Sequence, residues 1–345
     1  MKEYIITIDG GTTNTRCILW NGEHRKLAEA KRETGAGSTA ADGNNLRLKT
    51  AIKECIHEVL EKGNIAEQDV DRIIGSGMIT SDMGLMTVPW IPAPASVKDL
   101  REHMVTADFP EICSVPLSFI PGIKNAEGVF SSAGIADMDI MRGEETESVY
   151  LIDRLGIGKS MLLVLPGTHN KFIPVDREGR ILGCITSISG ELLSAITNHT
   201  ILSKSVERSF VQPENYDKKY VIDGFLAAKR QGLGKASFNG RLLMLFSDST
   251  PQQIAGYLLG ASLAGDVQAV MNSEFFRPDA EMRVIVAGKE PLKSAVCDVL
   301  ECDGFFTHVE KFRYEGDSSP AAEGAFLVAA GEGAKPGKTE ASFEK

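Results

Sequence analysis

The residues best suited to chemistry form a short turn near the start of the sequence. Asp9 follows an apolar stretch, and Gly10, Gly11, Thr12 and Thr13 come directly after it. Because glycine accepts positive φ angles and has no Cβ, such a turn can bring several main-chain N–H groups to one phosphate, and the threonine hydroxyls add donors. A carboxylate beside the turn suits Mg²⁺, which takes one or two carboxylates and keeps much of its water shell. The pattern predicts a phosphate and metal site, whereas Gly-Gly alone would indicate an ordinary hairpin turn.

A second turn of the same kind lies in the other half of the sequence. Residues 167–170 read Gly-Thr-His-Asn, which is similar to the Gly-Thr-Thr-Asn that ends at Asn14. A basic residue follows each turn within two positions, Arg16 in the first case and Lys171 in the second. Two such turns indicate an internal duplication, and two facing halves favour one small-molecule ligand in the cleft between them.

Each turn joins two stretches that have the apolar composition of buried strands. The first half predicts strands and one helix in the order strand, strand, strand, helix, strand, over residues 4–8, 15–20, 26–32, 48–60 and 72–74. The second half predicts strands over residues 161–165, 171–175, 181–188 and 283–287. Its predicted helices cover most of 190–275, with breaks near 203–218 and 232–238, and then 291–300 and 321–330.

Length and composition exclude several classes of protein. At ~150 residues per domain, 345 residues predict about two domains. A formal net charge of −10 disfavours a nucleic-acid partner, and no apolar run approaches the ~18 residues of a membrane span. The 6 cysteines are scattered without a C-x-x-C pair, which argues against zinc and against disulfides. We therefore expect a cytoplasmic protein that binds small molecules and neither nucleic acid nor membrane.

Residues 8–16, which read Ile-Asp-Gly-Gly-Thr-Thr-Asn-Thr-Arg, resemble the first phosphate motif of the actin/hexokinase/Hsp70 superfamily. The resemblance implies an α/β fold of two ribonuclease-H-like domains, as in actin-like ATPases, with ATP bound at an active site in the interdomain cleft. Within that superfamily the chain is similar to the 2-dehydro-3-deoxygalactonokinase family. The similar segments are 75–81, 120–122, 141–146, 166–172, 190–192, 198–199 and 286–288. The chain departs from the family at Ser76, where alanine is expected, at Phe172, where tryptophan is expected, and in longer segments near 125–138 and 203–240.

The resemblance implies transfer of a phosphoryl group from ATP, with Mg²⁺, to the terminal hydroxyl of 2-dehydro-3-deoxy-D-galactonate. The metal is expected at Asp9. The expected contacts of the nucleotide are Gly10, Gly11, Thr12, Thr13, Asn14, Arg16, Gly167, Thr168, Lys171 and Gly288. The expected contacts of the sugar acid are Ser76, Gly77, Met78, Ser81 and Arg142.

The expected catalytic base is Glu144, which aligns with the aspartate of a Gly-Asp-Gln segment in related sugar kinases. Glu145 points ~100° away on a helix, so one of the two can face the substrate. Alternatively, both glutamates occupy the solvated first turn of a helix, where acids suit the helix dipole. Arg142 could grip a carboxylate bidentately or be an exposed structural residue.

The expected domains are residues 1–140 and 141–331, followed by a flexible tail over 332–345. Three other functions remain open: a kinase for another sugar or sugar acid, an exopolyphosphatase-like hydrolase, and an ATP-binding regulatory module. The net charge of −10 disfavours the hydrolase, which needs basic residues for a long polyanion. A homodimer is the default expectation for a soluble enzyme. Roles for His169, Asn198 and His199 are not decided by the sequence.

Overall fold

The computed structural model describes residues 3–132, 134–314, 319–331 and 342–344. The described chain forms two compact units. The first contains residues up to 158, together with 177–183 and 319–331, and the second contains 159–176, 184–314 and 342–344.

The described strands are β1 (Tyr4–Gly10), β2 (Thr15–Trp20), β3 (Lys26–Arg32), β4 (Val70–Gly77), β5 (Ile91–Pro92), β6 (Val105–Ala107), β7 (Leu117–Phe119), β8 (Ile123–Lys124), β9 (Ile140–Met141), β10 (Met161–Leu165), β11 (Asn170–Val175), β12 (Ile185–Ser187), β13 (Arg283–Val286), β14 (His308–Arg313) and β15 (Ser342–Glu344). The described α-helices are α1 (Gly37–Asp42), α2 (Leu46–Gly63), α3 (Val97–Glu102), α4 (Glu144–Leu155), α5 (Ser189–His199), α6 (Lys218–Gln231), α7 (Leu233–Phe246), α8 (Pro251–Met271), α9 (Leu292–Asp303) and α10 (Pro320–Ala330).

The main sheet of the first unit has the strand order β3-β2-β1-β4-β7-β6. Its first three strands are antiparallel neighbours, whereas β4 runs parallel to β1 and β7 runs parallel to β4. On one face α2 packs onto the sheet through Leu48, Ile52 and Ile56, which recur at helical spacing and are buried. A small sheet of β5, β8 and β9 completes this unit.

The sheet of the second unit repeats this arrangement in the order β12-β11-β10-β13-β14-β15. Again the first three strands are antiparallel and the fourth and fifth, β13 and β14, are parallel additions. Both units therefore have the ribonuclease-H-like topology, and the predicted fold is confirmed. The polar sequence of β14 (His-Val-Glu-Lys-Phe-Arg) explains why no strand was predicted there.

The observed first unit differs from the expected division at residue 140, because α4 and α10 pack together within it. Gly324 of α10 lies so close to α4 that a Cβ there would be 1.7 Å from the carbonyl oxygen of Thr146. The strand expected over 181–188 is reduced to β12, and Ile181 pairs instead with Ala95 in the first unit.

The sequence predicted a flexible tail over residues 332–345, but Ser342–Glu344 form strand β15, which pairs with β14. Residues 332–341 and 345 of that tail lie outside the described residues. The break expected near 232–238 is present but shorter, since α6 ends at Gln231 and α7 begins at Leu233. Gly232, with a φ of 79°, makes the turn by itself because glycine accepts this left-handed conformation.

Helix α8 is the central core helix of the second unit. Among the described residues it is the helix that is long and apolar enough to cross a membrane by length and composition, but 78% of its apolar stretch is buried in the protein. It crosses α6 with main chain against main chain: a Cβ at Gly260 would lie 1.8 Å from the carbonyl oxygen of Val221. Burial against neighbouring helices accounts for its composition.

Candidate active site

The first glycine turn joins β1 to β2 and is held from behind by the loop that precedes α1. The main-chain N–H of Gly11 donates to the carbonyl oxygen of Asn14 at 2.9 Å, which closes the turn. The carbonyl oxygens of Gly11 and Thr12 accept from the N–H groups of Ala36 (3.0 Å) and Gly37 (2.8 Å). Thr12 and Thr13 are left exposed at the tip. Because two carbonyls are turned away, the tip is suited to an anion.

The glycines of this turn act through close packing. Neither Gly10 nor Gly11 has a positive φ angle, so that expectation is wrong. A Cβ at Gly10 would lie 2.1 Å from Cγ2 of Ile79, and a Cβ at Gly35 would lie 2.4 Å from the carbonyl oxygen of Gly11. A neighbouring glycine that does have a positive φ is Gly77, at 78°. Its missing Cβ lets the end of β4 approach the end of β1.

The side chain of Asp9 lies where three main-chain segments meet. A Cβ at Gly77 would be 2.7 Å from the carbonyl oxygen of Gly10 and 3.7 Å from Oδ1 of Asp9, and one at Gly143 would be 3.4 Å from Cα of Gly77. Oδ2 of Asp9 accepts a 3.3 Å hydrogen bond from the hydroxyl of Ser319. The ends of β1 and β4 therefore meet beside the carboxylate of Asp9, and the residue before α4 packs on Gly77.

Burial raises the pKa of Asp9, and the charge of Arg16 and the hydrogen bond from Ser319 oppose that rise. Arg16 stands opposite Asp9 in the β1–β2 ladder, and its Nε lies 3.2 Å from Oε1 of Glu29. A desolvated carboxylate is stabilised by a cation, so Asp9 fits one ligand of a hard divalent ion. No group of three or more metal-ligating side chains occurs among the described residues, so such an ion would depend on phosphate oxygens and water.

The predicted substrate segment, residues 76–81, continues from β4 into a short 3-10 turn at Met78–Thr80. The hydroxyl of Ser76 faces the carbonyl oxygen of Ile8 at 3.4 Å, and that of Ser81 donates to the carbonyl oxygen of Met78 at 2.7 Å. Both serines are buried, whereas Met78 is partly exposed. The serine hydroxyls shape the segment, and a ligand would meet its main chain and Met78.

Arg142 is held by main-chain oxygens. Its Nη1 donates to the carbonyl and hydroxyl oxygens of Thr80 (2.7 and 2.5 Å), and its Nη2 donates to the carbonyl oxygen of Val88 (2.8 Å). Its guanidinium carbon lies 4.3 Å from the ring centroid of Trp90. Nε is buried and has no hydrogen-bond partner in the described part of the chain, and burial lowers the pKa of the group. These contacts brace residues 80–88 against Arg142, and the expected contact of Arg142 with a substrate carboxylate stays a prediction.

Glu144 and Glu145 begin α4 and have different environments. Oε2 of Glu144 accepts from the N–H of Arg142 at 3.0 Å, and Oε2 of Glu145 accepts from the N–H of Gly143 at 2.7 Å. Glu144 is partly exposed, but Glu145 is fully buried, and burial together with the charge of Glu144 raises the pKa of Glu145 to about 7. Of the two carboxylates, only that of Glu144 is open to a ligand in this conformation.

The second glycine turn, in the second unit, is closed by a side chain. The N–H of Gly167 donates to Oδ1 of Asn170 at 2.8 Å. The carbonyl oxygen of Thr168 accepts from the N–H of Glu191 at 3.2 Å, and a Cβ at Gly190 would lie 2.3 Å from the carbonyl oxygen of Gly167. As in the first turn, the glycine N–H is used internally and the carbonyls face a helix start. Thr168 is exposed at the tip.

Gly288 and Lys171 lie on either side of this second turn. A Cβ at Gly288 would contact Cδ of Pro166 at 3.2 Å, so the end of β13 packs against the start of the turn. The ammonium group of Lys171 is buried and donates to the hydroxyl of Thr186 at 2.7 Å. Nε2 of His169 lies 2.7 Å from Oε1 of Glu191, so this ring nitrogen has its partner within the second unit.

The predicted site residues thus fall into two sets. The first unit holds Asp9 to Arg16, residues 76–81, Arg142 and Glu144, and the second holds Gly167, Thr168, Lys171 and Gly288. Sequence reasoning missed Ser319 and Asp266, whose contacts are separated widely along the chain and leave no local pattern. It also missed Gly35 and Gly37, although two glycines in one loop are a detectable signal for close main-chain approach.

Comparison with known proteins adds a family and a fold. The family model described as 2-keto-3-deoxy-galactonokinase matches residues 9–313. The chain is 23% identical over 313 residues to the 2-dehydro-3-deoxygalactonokinase of Escherichia coli strain K12, covering 88% of this chain and 94% of that one. It is 28% identical over 206 residues to a Rhizobium meliloti protein assigned as 2-dehydro-3-deoxygalactonokinase DgoK1, covering 59% of each.

Among solved structures, the chain is similar to that of a Sinorhizobium meliloti protein assigned as a 2-dehydro-3-deoxygalactonokinase. The TM-score is 0.70 at 23% sequence identity, and the match covers 94% of this chain and 97% of that one. This likeness concerns the fold.

Proposed function

The chain belongs to the 2-keto-3-deoxy-galactonokinase family and is a sugar-acid kinase, and from this premise we propose that it phosphorylates 2-dehydro-3-deoxy-D-galactonate at its 6-hydroxyl. The products are 2-dehydro-3-deoxy-6-phosphogalactonate and ADP, within galactonate catabolism. The observation that carries the proposal is that Gly77 packs against the Asp9–Gly10 end of β1 on one side and against Gly143, the residue before Glu144, on the other. An acidic metal ligand, a phosphate turn and a candidate base are the parts that phosphoryl transfer requires.

In the proposed reaction, the oxygen of the substrate hydroxyl forms a bond to the γ-phosphorus of ATP. The bond from that phosphorus to the bridging oxygen breaks, and ADP leaves. The hydroxyl proton passes to the carboxylate of Glu144, the partly exposed member of the acidic pair. The hydrogen bond from the N–H of Arg142 fixes one oxygen of Glu144 and leaves the other for the substrate.

Asp9 is the residue that would hold Mg²⁺. When bound, this ion neutralises charge on the phosphate oxygens. The contribution of the protein is the carboxylate of Asp9, whose pKa is raised by burial although the charge of Arg16 opposes that rise. Ser319 orients one of its oxygens and leaves the other toward Gly77.

For the nucleotide, the proposed contacts are the exposed tips of the two turns, Thr12 and Thr13 in one unit and Thr168 in the other. Gly10, Gly11 and Gly167 support these tips by their packing and internal hydrogen bonds, with Asn14 closing the first turn. Gly288 is proposed to lie on the adenosine side. Arg16 and Lys171 are proposed to contact phosphate after release from their present side-chain partners.

For the sugar acid, the proposed contacts are the main chain of Gly77 and the side chain of Met78. Ser76, Ser81 and Arg142 hold that segment in place through their bonds to carbonyl oxygens. Small polar segments of fixed main chain suit the recognition of several hydroxyls by hydrogen bonds.

The enzyme is proposed to act in the cytoplasm as a homodimer with small-molecule partners. The net charge of −10 supports the absence of a nucleic-acid partner.

The proposed substrate is tested by ADP release over a panel of sugar acids. The panel contains both C4 epimers of 2-keto-3-deoxyhexonate, the parent aldonic acids, glucose and glycerol, each with ATP and Mg²⁺. We expect the galactonate-derived epimer to give the highest kcat/KM. A higher value for another acid would support the alternative, a kinase of a different sugar acid, and ADP release without any acceptor would indicate a hydrolase. The Asp9→Asn variant serves as the control for contaminating kinases.

A further inference from the structure

A buried carboxylate on α8 contacts the second glycine turn from inside the second unit. Asp266 is 2% exposed, although α8 is otherwise the apolar core helix of that unit. Oδ2 accepts from Nδ2 of Asn170 and from the hydroxyl of Ser189, each at 2.7 Å, and Oδ1 accepts from the hydroxyl of Ser187 at 2.5 Å. A charged side chain in such a core is retained at an energetic cost, so its role needs a specific explanation.

The contacts of Asp266 fix the orientation of the Asn170 side chain. A carboxylate only accepts hydrogen bonds, so the NH₂ group of Asn170 must face it. The same NH₂ group also donates to the hydroxyl oxygen of Ser189 at 2.8 Å. With the nitrogen committed on that side, Oδ1 of Asn170 must face the N–H of Gly167, which donates to it at 2.8 Å.

If the amide were rotated by half a turn, its NH₂ group would face the N–H of Gly167, and two donors would oppose each other. The bond that closes the second turn would then be lost. The carboxylate of Asp266 therefore disfavours the flipped orientation of the Asn170 amide, and the turn at 167–170 keeps a single conformation. The network also reaches the start of α5, because the N–H of Ser189 donates to the hydroxyl of Ser187 at 3.2 Å.

We propose that Asp266 is a positioning residue for nucleotide binding, acting through Asn170 on the shape of the turn at 167–170. The inference rests on the proposed function, because it assumes that this turn holds the nucleotide phosphates. Asp266 touches neither substrate: it is separated from the exposed tip residue Thr168 by Asn170, which is itself 1% exposed.

The test compares Asp266→Ala, Asp266→Asn and Ser262→Ala. Ser262 is a matched control because it is also buried on α8 and its hydroxyl donates within that helix, to the carbonyl oxygen of Leu259 at 2.8 Å. Asparagine at position 266 can keep an acceptor oxygen toward Asn170 and donate to Ser187, so it should rescue most of the effect.

The KM for ATP and the KM for the sugar acid are measured separately for each variant, together with the thermal midpoint. We expect Asp266→Ala to raise the KM for ATP about tenfold, the effect of one lost hydrogen bond, while the KM for the sugar acid changes less than twofold. Asp266→Asn should raise the KM for ATP at most about threefold, and Ser262→Ala should leave both constants unchanged.

Asn170→Ala should raise the KM for ATP as Asp266→Ala does, and combining the two should add little, because both break the same link. An Asp266→Ala enzyme that is less stable but has a normal KM for ATP would overturn the proposal and reduce the network to core packing. If Asp266→Ala does not fold, a normal KM for ATP in Asn170→Ala overturns it equally. If the unmodified protein binds ADP in calorimetry but no variant differs, only this inference fails, whereas absence of ADP binding by the unmodified protein overturns the proposed function as well.

Discussion

Glu144 and Glu145 accept hydrogen bonds from consecutive main-chain N–H groups, those of Arg142 and Gly143, at 3.0 and 2.7 Å. Both carboxylates therefore satisfy donors at the start of α4, where negative charge is favoured by the helix dipole. The two differ in burial, because Glu145 is enclosed and Glu144 is partly open. The same helix start thus has one carboxylate that supports structure and one that can face a substrate.

The first prediction concerns Glu144→Ala. If Glu144 is the base, kcat should fall by ~10² to 10⁴, which corresponds to about 3 to 5 kcal/mol of barrier. The KM for ATP should change little, since the nucleotide is assigned to the glycine turns. Steady-state kinetics with both substrates varied measures the two effects. A variant that keeps wild-type kcat would remove Glu144 from the mechanism, and a crippled Glu145→Gln with normal Glu144→Ala would move the base by one residue.

The second prediction concerns the pH dependence of stability. The pKa of Glu145 is raised to about 7 in the folded protein by burial, whereas a glutamate in an unfolded chain titrates near 4.3. The folded state therefore holds the proton more tightly, and stability from this group falls as pH rises from about 4.5 to 7. Glu145→Gln should remove this decline. Between pH 5 and pH 8, the free energy of unfolding of the variant should therefore rise by about 2 to 3 kcal/mol relative to that of wild type.

Urea unfolding at the two pH values measures that difference. Glu33→Gln is the control, because Glu33 is exposed in the same unit and its loss leaves the buried carboxylate in place. Parallel pH profiles for wild type and Glu145→Gln would mean that Glu145 is charged throughout this range.

The third prediction is that Asp9→Asn disrupts Mg²⁺-dependent turnover while leaving the fold intact. The amide has nearly the volume of the carboxylate and can still accept from Ser319, so the free energy of unfolding should change by less than about 1 kcal/mol. Magnesium titrations of activity should show loss of kcat or a strongly raised metal requirement. Asp71→Asn, an exposed change on β4, should behave as wild type. Normal activity of Asp9→Asn at every Mg²⁺ concentration would contradict the metal assignment.

The fourth prediction separates two roles of Arg142. Lysine at this position cannot reach the oxygens of both Thr80 and Val88, so Arg142→Lys should loosen residues 80–88 and raise the KM for the sugar acid about tenfold, with the KM for ATP unchanged. The comparison substrate is the analogue whose carboxylate is replaced by a neutral amide. A bracing role predicts the same loss with both substrates, whereas direct contact with the carboxylate predicts that the loss disappears with the amide.

The elements that the sequence predicted best are those with their own local pattern. Strands β1, β2 and β3 have alternating or continuous apolar residues around glycine turns, and α2 has apolar residues at helical spacing. Strand β14 was missed because it pairs in parallel with β13 through its main chain, while half of its side chains are charged. Parallel pairing depends on a distant partner strand, so its signal is not local.

The sequence predicted which residue types form the candidate site, but it did not predict most of the contacts that these residues make. The glycines at 10, 11 and 167 were predicted to contact the nucleotide, and in the structure their N–H groups and missing Cβ atoms serve packing and turn closure within the protein. In the first turn this packing depends on Ile79, and in the second turn the closure depends on Asn170, which donates to Asp266. No rule of sequence spacing relates Ile79 or Asp266 to the turns. Likewise, Arg142 has the chemistry to bind a carboxylate, but its contacts with Thr80 and Val88 could not be predicted, because these residues lie 62 and 54 positions away along the chain.

The return of α10 to the first unit has a consequence for how the chain is made. Ser319, which donates to Asp9, is 310 positions further along the chain, and Phe326 of α10 packs on Trp20 with ring centroids 5.6 Å apart. A ribosome releases the chain from its N-terminus, so nearly all of the second unit emerges before these contacts can form. A nascent chain that has not reached residue 319 therefore exposes the aromatic surface of Trp20 and lacks the hydroxyl beside Asp9, and the half of the enzyme that begins first is completed last.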